Sequence, residues 1–232
     1  MSEAPSDEKL VHIARRLRQV TLCADLDDAA LASVAHLARP LVYARGAQLH
    51  EPARAAGSIY LLAEGRLRLY RQSPAGRQVT LDLVSEGEVF RFLAREPDGT
   101  PTSVAEVVSQ RAALYRCPGP ALLEVLAAQP PALLRLVAEL ARVFARVYDD
   151  KAEVGLYDVE TRLARLLVRL ATEGPEVGRP IELTHRELAW RADTRREEVT
   201  RLLRKFACAG LIATHPHRNG IVVRDSAGLL QR

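Results

Sequence analysis

The chain has 232 residues, of which 48% are apolar, so it can build one or two domains with a buried core. It contains no apolar run of the roughly 20 residues that cross a bilayer, and its first ten residues lack the pattern of a secretory signal. The three cysteines are widely spaced, which argues against a disulfide framework. We therefore expect a cytoplasmic protein with no membrane segment.

The net charge of +4 is unevenly distributed along the chain. Residues 156–232 hold 14 Lys and Arg against 10 Asp and Glu, whereas the other 155 residues hold 19 of each. A basic terminal segment on a neutral body favours a polyanionic partner. An excess of four charges is small, so the alternative interpretation is that it arose by chance and indicates no polyanionic partner.

Residues 1–40 are predicted to be helical. Apolar residues recur at three- and four-residue spacing over His12–Val20 and over Asp27–Ala38. Asp27 or Asp28 is placed to cap the second helix, and Pro40 is expected to end it.

The period changes between Leu41 and Cys117, where short strands are predicted. In Gln78–Val84 the residues Val79, Leu81 and Leu83 alternate with polar side chains, and glycines recur about every ten residues through the region. This rhythm is typical of an antiparallel barrel or sandwich. The other predicted strands lie in Ser58–Tyr70, Val89–Phe90, Ser103–Val108 and Ala112–Arg116.

A helix opens at Pro118 and Pro120, and a long amphipathic helix follows Pro130-Pro131. Its apolar residues fall on a four-three spacing, with Lys151 in the one polar position. Such a stripe either packs on the barrel or pairs with its copy in a dimer. The polar position favours the dimer, because a polar residue in the stripe fixes the register of two paired helices. The predicted dimerisation residues, called the seam below, are Leu133, Val137, Leu140, Phe144, Val147 and Val154.

Two helices separated by a tight turn are predicted in the last third of the chain, after another helix at Asp158–Ala171. Thr184 and Glu187 have the spacing of a capping box, which starts a short helix ending at Arg191. A second helix then runs from Arg195 to about Ala209 and stops at Gly210.

The second of these helices is strongly amphipathic. On a helical wheel, Val199, Leu202, Leu203 and Phe206 form a narrow apolar face. The opposite face carries side chains that suit the edges of bases in a DNA major groove. Those residues are Arg196, Glu197, Thr200, Arg201 and Arg204.

A solvated helix with internal ion pairs, such as Glu197 with Arg201, is the alternative to a DNA-reading helix. The surrounding sequence favours DNA binding, because a hairpin predicted over Leu211–Val223 completes a winged helix-turn-helix. Candidate phosphate contacts are Thr184 and, near the hairpin tip, His215, His217 and Arg218.

Three segments together resemble the cyclic-AMP receptor protein/FNR (CRP/FNR) family of bacterial transcription regulators. They read LTHRELAWRADTRREEVTRLLRKFACAGLI, GSIYLLAEGRLRLY and EGEVF. The resemblance implies an α+β fold with an N-terminal antiparallel β-roll sensor domain over residues 1–130, like a cyclic-nucleotide-binding domain. A dimerisation helix over 131–155 and a C-terminal winged helix-turn-helix over 156–232 would follow.

The resemblance implies a sequence-specific regulator that binds an inverted repeat in double-stranded DNA as a homodimer, with RNA polymerase as a protein partner. It also implies base reading by Arg196, Glu197 and Arg201. Glu198 departs from the family pattern, since the receptor-protein branch usually has a small hydroxyl residue there. The preferred half-site is therefore left open.

The sensor segment matches the family less well. Cyclic-nucleotide-binding relatives carry a Gly-Glu pair for the ribose and an Arg-Ser/Thr pair for the phosphate; here Pro101 stands at the Arg position and no Glu matches. Arg91, Thr102 and Ser103 are the candidate effector-binding residues. We expect no response to cyclic AMP. A protein active without a ligand and a signalling module whose effector controls DNA binding both stay open.

Other sensor and function classes fit poorly. An iron–sulfur cluster needs four thiolates, and the chain has three cysteines. A haem ligand at His36, His50 or Cys117 is less plausible than a structural role. No nucleophile elbow, phosphate loop or HExxH motif is present, so we expect neither an enzyme nor a bound cofactor or metal.

Overall fold

A computed structural model describes residues 7–51, 57–73, 75–76, 78–92, 103–172, 180–215 and 220–231. The chain divides into two compact units, Met1–Val143 and Phe144–Arg232. The boundary lies within the predicted dimerisation segment, which is therefore shared between the units.

The first unit starts with helices α1 (Asp7–Leu17) and α2 (Asp28–Leu37), joined through a short 3-10 turn at Thr21–Cys23. The carboxylate of Asp27 caps α2 by accepting a hydrogen bond from the Ala30 amide at 2.7 Å, as expected. Helix α1 begins before the span His12–Val20, in which the apolar spacing was found, and ends within it. Glu8 and Lys9 in its first turn are polar and exposed, so apolar periodicity could not mark where the helix begins.

Two four-stranded antiparallel sheets follow, with strand orders β1-β8-β3-β6 and β2-β7-β4-β5, which confirms the predicted roll. Pro40 does not end α2 but lies in β1, a strand at the edge of its sheet, where the missing amide is tolerated. The strands are β1 (Arg39–Ala44), β2 (Gln48–Leu49), β3 (Ile59–Glu64), β4 (Leu67–Gln72), β5 (Gln78–Val84), β6 (Val89–Phe90), β7 (Val104–Val107) and β8 (Arg111–Cys117).

Strand β3 is covered on both faces. Tyr60 and Leu62 belong to the apolar core between the two sheets, whereas Leu61 and Ala63 pack with the helices. This two-sided burial gives the strand an almost continuous apolar sequence. In β5, by contrast, a register shift opposite Leu69 and Tyr70 leaves Leu81 partly exposed.

The remaining helices are α3 (Gly119–Ala127), α4 (Pro130–Leu156), α5 (Val159–Thr172), α6 (His185–Arg191), α7 (Arg196–Cys208) and α8 (Ser226–Leu230), with the hairpin β9 (Ile212–His215) and β10 (Gly220–Val223) between α7 and α8. Helices α5 to α8 and the hairpin share one core in the second unit. The pair α6 and α7, followed by the hairpin, confirms the predicted winged helix-turn-helix.

The β3–β4 turn depends on Gly65, whose φ is +92°. A Cβ atom built there would lie 2.2 Å from the carbonyl oxygen of Arg111 and 2.7 Å from Oγ of Ser109. The same Ser109 hydroxyl accepts from the Arg66 amide at 2.9 Å and donates to that Arg111 carbonyl at 2.7 Å. The turn is thus closed against β8 with no room for a side chain.

Replacing Gly65 by Ala should destabilise the protein through both backbone strain and overlap. Gly46→Ala is the matched control, since Gly46 has φ +82° and open space around its Cβ position. The control should cost about 1–2 kcal/mol in free energy of unfolding, and Gly65→Ala about 1–3 kcal/mol more. Urea titration measures both values; equal losses would show that the β8 carbonyl moves aside freely.

Candidate nucleic-acid interface

Helix α6 begins with the predicted capping box. The Thr184 hydroxyl accepts from the Glu187 amide at 3.2 Å, and the Glu187 carboxylate accepts from the Thr184 amide at 2.8 Å. Glu187 is buried and Thr184 is exposed. The cap therefore fixes where α6 starts and leaves Thr184 on the surface.

The turn between α6 and α7 is held by hydrogen bonds from α6 and from α5. Asp193 adopts a left-handed conformation with φ +46°, and the Thr194 amide donates to the Ala189 carbonyl at 2.9 Å. Arg162 of α5 donates to the carbonyls of Ala192 at 3.1 Å and Asp193 at 3.3 Å. Sequence reasoning missed Arg162, because nothing in the local pattern of α5 indicates a contact thirty residues away.

Helix α7 has the two faces predicted from the wheel. Its apolar side chains Val199, Leu202, Leu203 and Phe206 are at most 2% exposed. On the other side four charged residues, which we call the recognition face, are exposed: Arg196, Glu197, Arg201 and Arg204. Burial of the apolar stripe therefore determines which side chains can meet a partner.

Thr200 is half-buried, unlike the rest of the predicted DNA-facing set. Its hydroxyl donates to the Arg196 carbonyl at 3.0 Å and lies 2.9 Å from Nδ1 of His185. Since that hydroxyl has one proton, Nδ1 is the donor in the second contact. Burial, then the charges of Arg196 and Arg204, lower the pKa of His185, which favours the neutral form of the ring. Its link to Thr200 was not predicted.

Arg201 forms a two-point ion pair with Glu198. Its Nε donates to one carboxylate oxygen at 3.1 Å, and its Nη2 donates to the other at 2.6 Å. The hydrogen bond from Arg201 lowers the pKa of Glu198, and the bond to Glu198 raises the pKa of Arg201. The pair considered from sequence, Glu197 with Arg201, was wrong, because the side chains meet at i,i+3 instead.

Lys205 is also paired, with both oxygens of Glu160 on α5 at 2.6 and 2.7 Å. Within the residues that the structure describes, no salt bridge involves Arg196 or Arg204. These two exposed guanidinium groups are thus available to an anionic partner. His217 and Arg218, at the tip of the hairpin, lie outside the described residues.

The candidate effector residues of the first unit are not shown to form one site. Arg91 is exposed and its Nη2 lies beside Gly57, Ser103 is buried just before β7, and Thr102 lies outside the described residues. Tyr60, Phe90 and Phe92 pack with ring centroids 5.1 to 5.6 Å apart, so aromatic side chains fill part of the interior of the roll.

The buried arginine of the described part of the roll is Arg68, on β4. Its Nε donates to the Thr80 hydroxyl at 2.9 Å and its Nη1 to the Gln78 amide oxygen at 2.8 Å. Nη1 also lies 3.7 Å from a carboxylate oxygen of Glu106, and the guanidinium stands 4.6 Å from the centroid of the Tyr70 ring. The charge of Arg68 is therefore already balanced within the chain.

The residues considered as haem ligands are placed unfavourably. His36 and His50 are exposed on the surface. Burial raises the pKa of the Cys117 thiol to about 12, with a smaller contribution from Cys23, so the thiolate does not form near neutral pH. Within the described ranges, no group of three or more His, Cys, Asp or Glu side chains is arranged to hold a metal ion.

Two family models match the chain, one within each compact unit. Residues 40–129 match the cyclic nucleotide-binding domain family, and residues 161–232 match the Crp-like helix-turn-helix domain family. The cyclic AMP receptor protein of Thermus thermophilus is 31% identical over 191 residues, covering 80% of this chain and 84% of that protein. The chain belongs to the CRP/FNR family of transcription regulators.

Another CRP/FNR relative, a CRP-like cAMP-activated global transcriptional regulator of Mycobacterium tuberculosis, is 26% identical over 212 residues, covering 89% of this chain and 93% of that protein. A solved variant of CooA from Carboxydothermus hydrogenoformans has the same fold, with a TM-score of 0.71 at 19% identity over 89% of this chain and 90% of that one.

Membership of the CRP/FNR family confirms the expected function class: the chain is a DNA-binding regulator and its relatives are not enzymes. Among the helices of the described residues, none has the length and apolar character needed to cross a membrane.

Proposed function

We propose that this CRP/FNR regulator reads an inverted-repeat DNA site as a homodimer and does so without cyclic AMP. The observation that carries the DNA-reading part is the recognition face of α7, held outward by a fully buried apolar stripe on the opposite side. A major groove admits one helix, and two-fold symmetry of a dimer requires two-fold symmetry of the site. RNA polymerase as partner and a cytoplasmic location stay predictions.

We assign different roles to the members of this face. Arg196 and Arg201 suit the O6 and N7 acceptors of guanine, and Glu197 suits the amino group of cytosine. Arg204 lies farther along α7 and suits a phosphate. Thr200, whose hydroxyl is engaged by His185, retains its methyl group for contact with a thymine methyl. Further proposed phosphate contacts are Thr184, His217 and Arg218.

Alanine substitution should separate these roles. Arg196→Ala and Arg201→Ala should each lose about 1–3 kcal/mol of binding free energy per contacted guanine, in both half-sites. Glu197→Ala should relax specificity while non-specific affinity holds or rises, because it removes an acceptor and a negative charge near phosphates. Arg204→Ala should weaken all sequences alike and reduce the salt slope by about 1.

Selection of binding sites from a random DNA pool measures these effects for each variant. Wild type should recover two half-sites with centres about one helical turn, some 34 Å, apart. Recovery of the same motif, with equal information at every position, by wild type and Glu197→Ala would show that Glu197 does not read a base.

Support for the dimer comes from α4. Ala132 and Leu136 pack against the core of the first unit, but the seam residues are between 39% and 62% exposed. A row of exposed Leu, Val and Phe side chains, with Lys151 as its one polar member, is a surface that needs a partner. A second copy of α4 supplies the matching four-three stripe, with Lys151 meeting its own counterpart in register.

Charges placed in the seam should prevent dimer formation. The double variant Leu140→Glu with Phe144→Glu should sediment as a monomer, because unpaired carboxylates would be buried at the contact. Ala138→Glu with Ala145→Glu is the matched control, since it adds the same charges to exposed positions on the opposite side of α4 and should remain a dimer. A dimeric seam variant would exclude this surface.

The proposed independence from cyclic AMP rests on the arginines of the roll. A buried cyclic phosphate needs a cation, and the buried arginine of the described residues, Arg68, is committed to Glu106, Thr80 and Gln78. Arg91 is exposed instead of facing the interior core. DNA binding would then be controlled by an effector of another kind, or the protein would bind DNA without any effector.

Adding cyclic AMP to the purified protein should produce no binding heat in calorimetry and should leave the affinity for the selected DNA site unchanged. The physical reason is the cost of burying an anionic phosphate where the described residues of the roll offer no unpaired buried cation. Micromolar binding, or a large gain in DNA affinity, would contradict this proposal while leaving the recognition face unaffected.

A further inference from the structure

We infer that Glu198 is a specificity-determining positioning residue, which holds Arg201 by the side edge of its guanidinium so that the adjacent end edge meets a guanine. The inference rests on the proposed function of Arg201 as a base reader. It concerns the position where this sequence departs from the receptor-protein branch of its family. Glu198 itself would touch no base.

The geometry of the pair carries the argument. A guanidinium has five N–H donors, and Glu198 takes the Nε donor at 3.1 Å and one Nη2 donor at 2.6 Å, which together form the side edge of the group. The end edge keeps one N–H from Nη1 and one from Nη2. These two parallel donors are the ones that match the O6 and N7 acceptors of guanine.

Holding Arg201 in this way reduces the conformational entropy that its side chain loses on binding DNA. An exposed arginine samples many rotamers, and it loses this conformational entropy when it docks on a base in one of them. The carboxylate one turn earlier on α7 selects a rotamer before DNA arrives. Because the side chains of Glu198 and Arg201 are 37% and 62% exposed, the pair contributes little to folding stability, and orientation is its main effect.

The carboxylate also makes wrong contacts less favourable. A free Arg201 would bind any phosphate, and Glu198 offsets its charge, so non-specific affinity is lowered. Arg196 and Arg204 have no ion pair in the described part of the chain and keep the general attraction for DNA. Loss of Glu198 should therefore have two opposite consequences, tighter binding to unrelated DNA and poorer discrimination at one base pair.

The test compares the full-length wild type with Glu198→Gln, Arg201→Ala and the double variant. Discrimination is the ratio of affinities for the selected site and for a site changed at the base pair that depends on Arg201. For Glu198→Gln it should fall about two- to fivefold, the scale of an exposed ion pair. Affinity for random DNA should rise, with a salt slope steeper by about 1 for each half-site.

Glu160→Gln is the matched control, because it removes the same charge from an ion pair of α7, with Lys205. Among the described residues, Glu160 forms no hydrogen bond with Arg201, and its charge affects Arg201 less than that of Glu198 does. The control should raise affinity for random DNA without lowering discrimination. In the Arg201→Ala background, Glu198→Gln should no longer change discrimination, since its effect passes through Arg201. Thermal melting should show all variants folded, since Arg201 is exposed and neither half-buried glutamate, Glu198 or Glu160, belongs to the apolar core.

The outcomes separate the inference from the function on which it rests. A wild-type protein that selects no motif would overturn both. A selected motif that Glu198→Gln reads with undiminished discrimination would overturn the inference alone. A loss of discrimination that persists in the Arg201→Ala background would also overturn it, because Glu198 would then act on DNA directly.

Discussion

The packing of one face of α7 into the core of the second unit is the constraint on which the DNA-binding surface depends. Four apolar side chains are buried there with those of α5, α6 and the hairpin. Each contributes about 1.5–3 kcal/mol, so rotation of the helix about its axis would be costly. The same burial that stabilises the unit thus aims Arg196, Glu197 and Arg201 in one direction.

The polar contacts refine that direction at individual side chains. Arg162 ties α5 to the turn before α7, His185 holds Thr200, and Glu198 holds Arg201. Each of these bonds links a residue of the recognition helix or its turn to a neighbour with a defined geometry. Because hydrogen bonds are directional, they set rotamers that hydrophobic packing alone leaves free.

In the first unit, too, apolar packing forms the core and polar contacts fix individual side chains. The two sheets enclose an apolar core with a cluster of aromatic rings, while helices α1 to α3 cover the outer face of one sheet. The buried Arg68 is balanced by partners from β5 and β7. Among the described residues of the roll, the buried arginine is therefore already paired, and the proposal that the protein does not respond to cyclic AMP rests on this pairing.

The sequence by itself determined the features that depend on near neighbours in the chain. The capping box of Thr184 and Glu187, the stop at Gly210 and the two faces of α7 follow from spacing of three or four residues. The family segments then supplied the order of roll, long helix and winged helix-turn-helix. Strand β1 was not predicted, because it contains Pro40 and its exposed edge position gives no clear alternation of apolar and polar residues.

Only the tertiary structure decided which side chains meet. Two carboxylates, Glu197 and Glu198, lie within reach of Arg201 along the helix, and the rotamers rather than the spacing select Glu198. Arg162 and His185 acquire their roles because α5, α6 and α7 are brought together by burial of their apolar faces. Local periodicity reports which face of a helix is buried, but a contact between helices depends on distances that no local pattern contains.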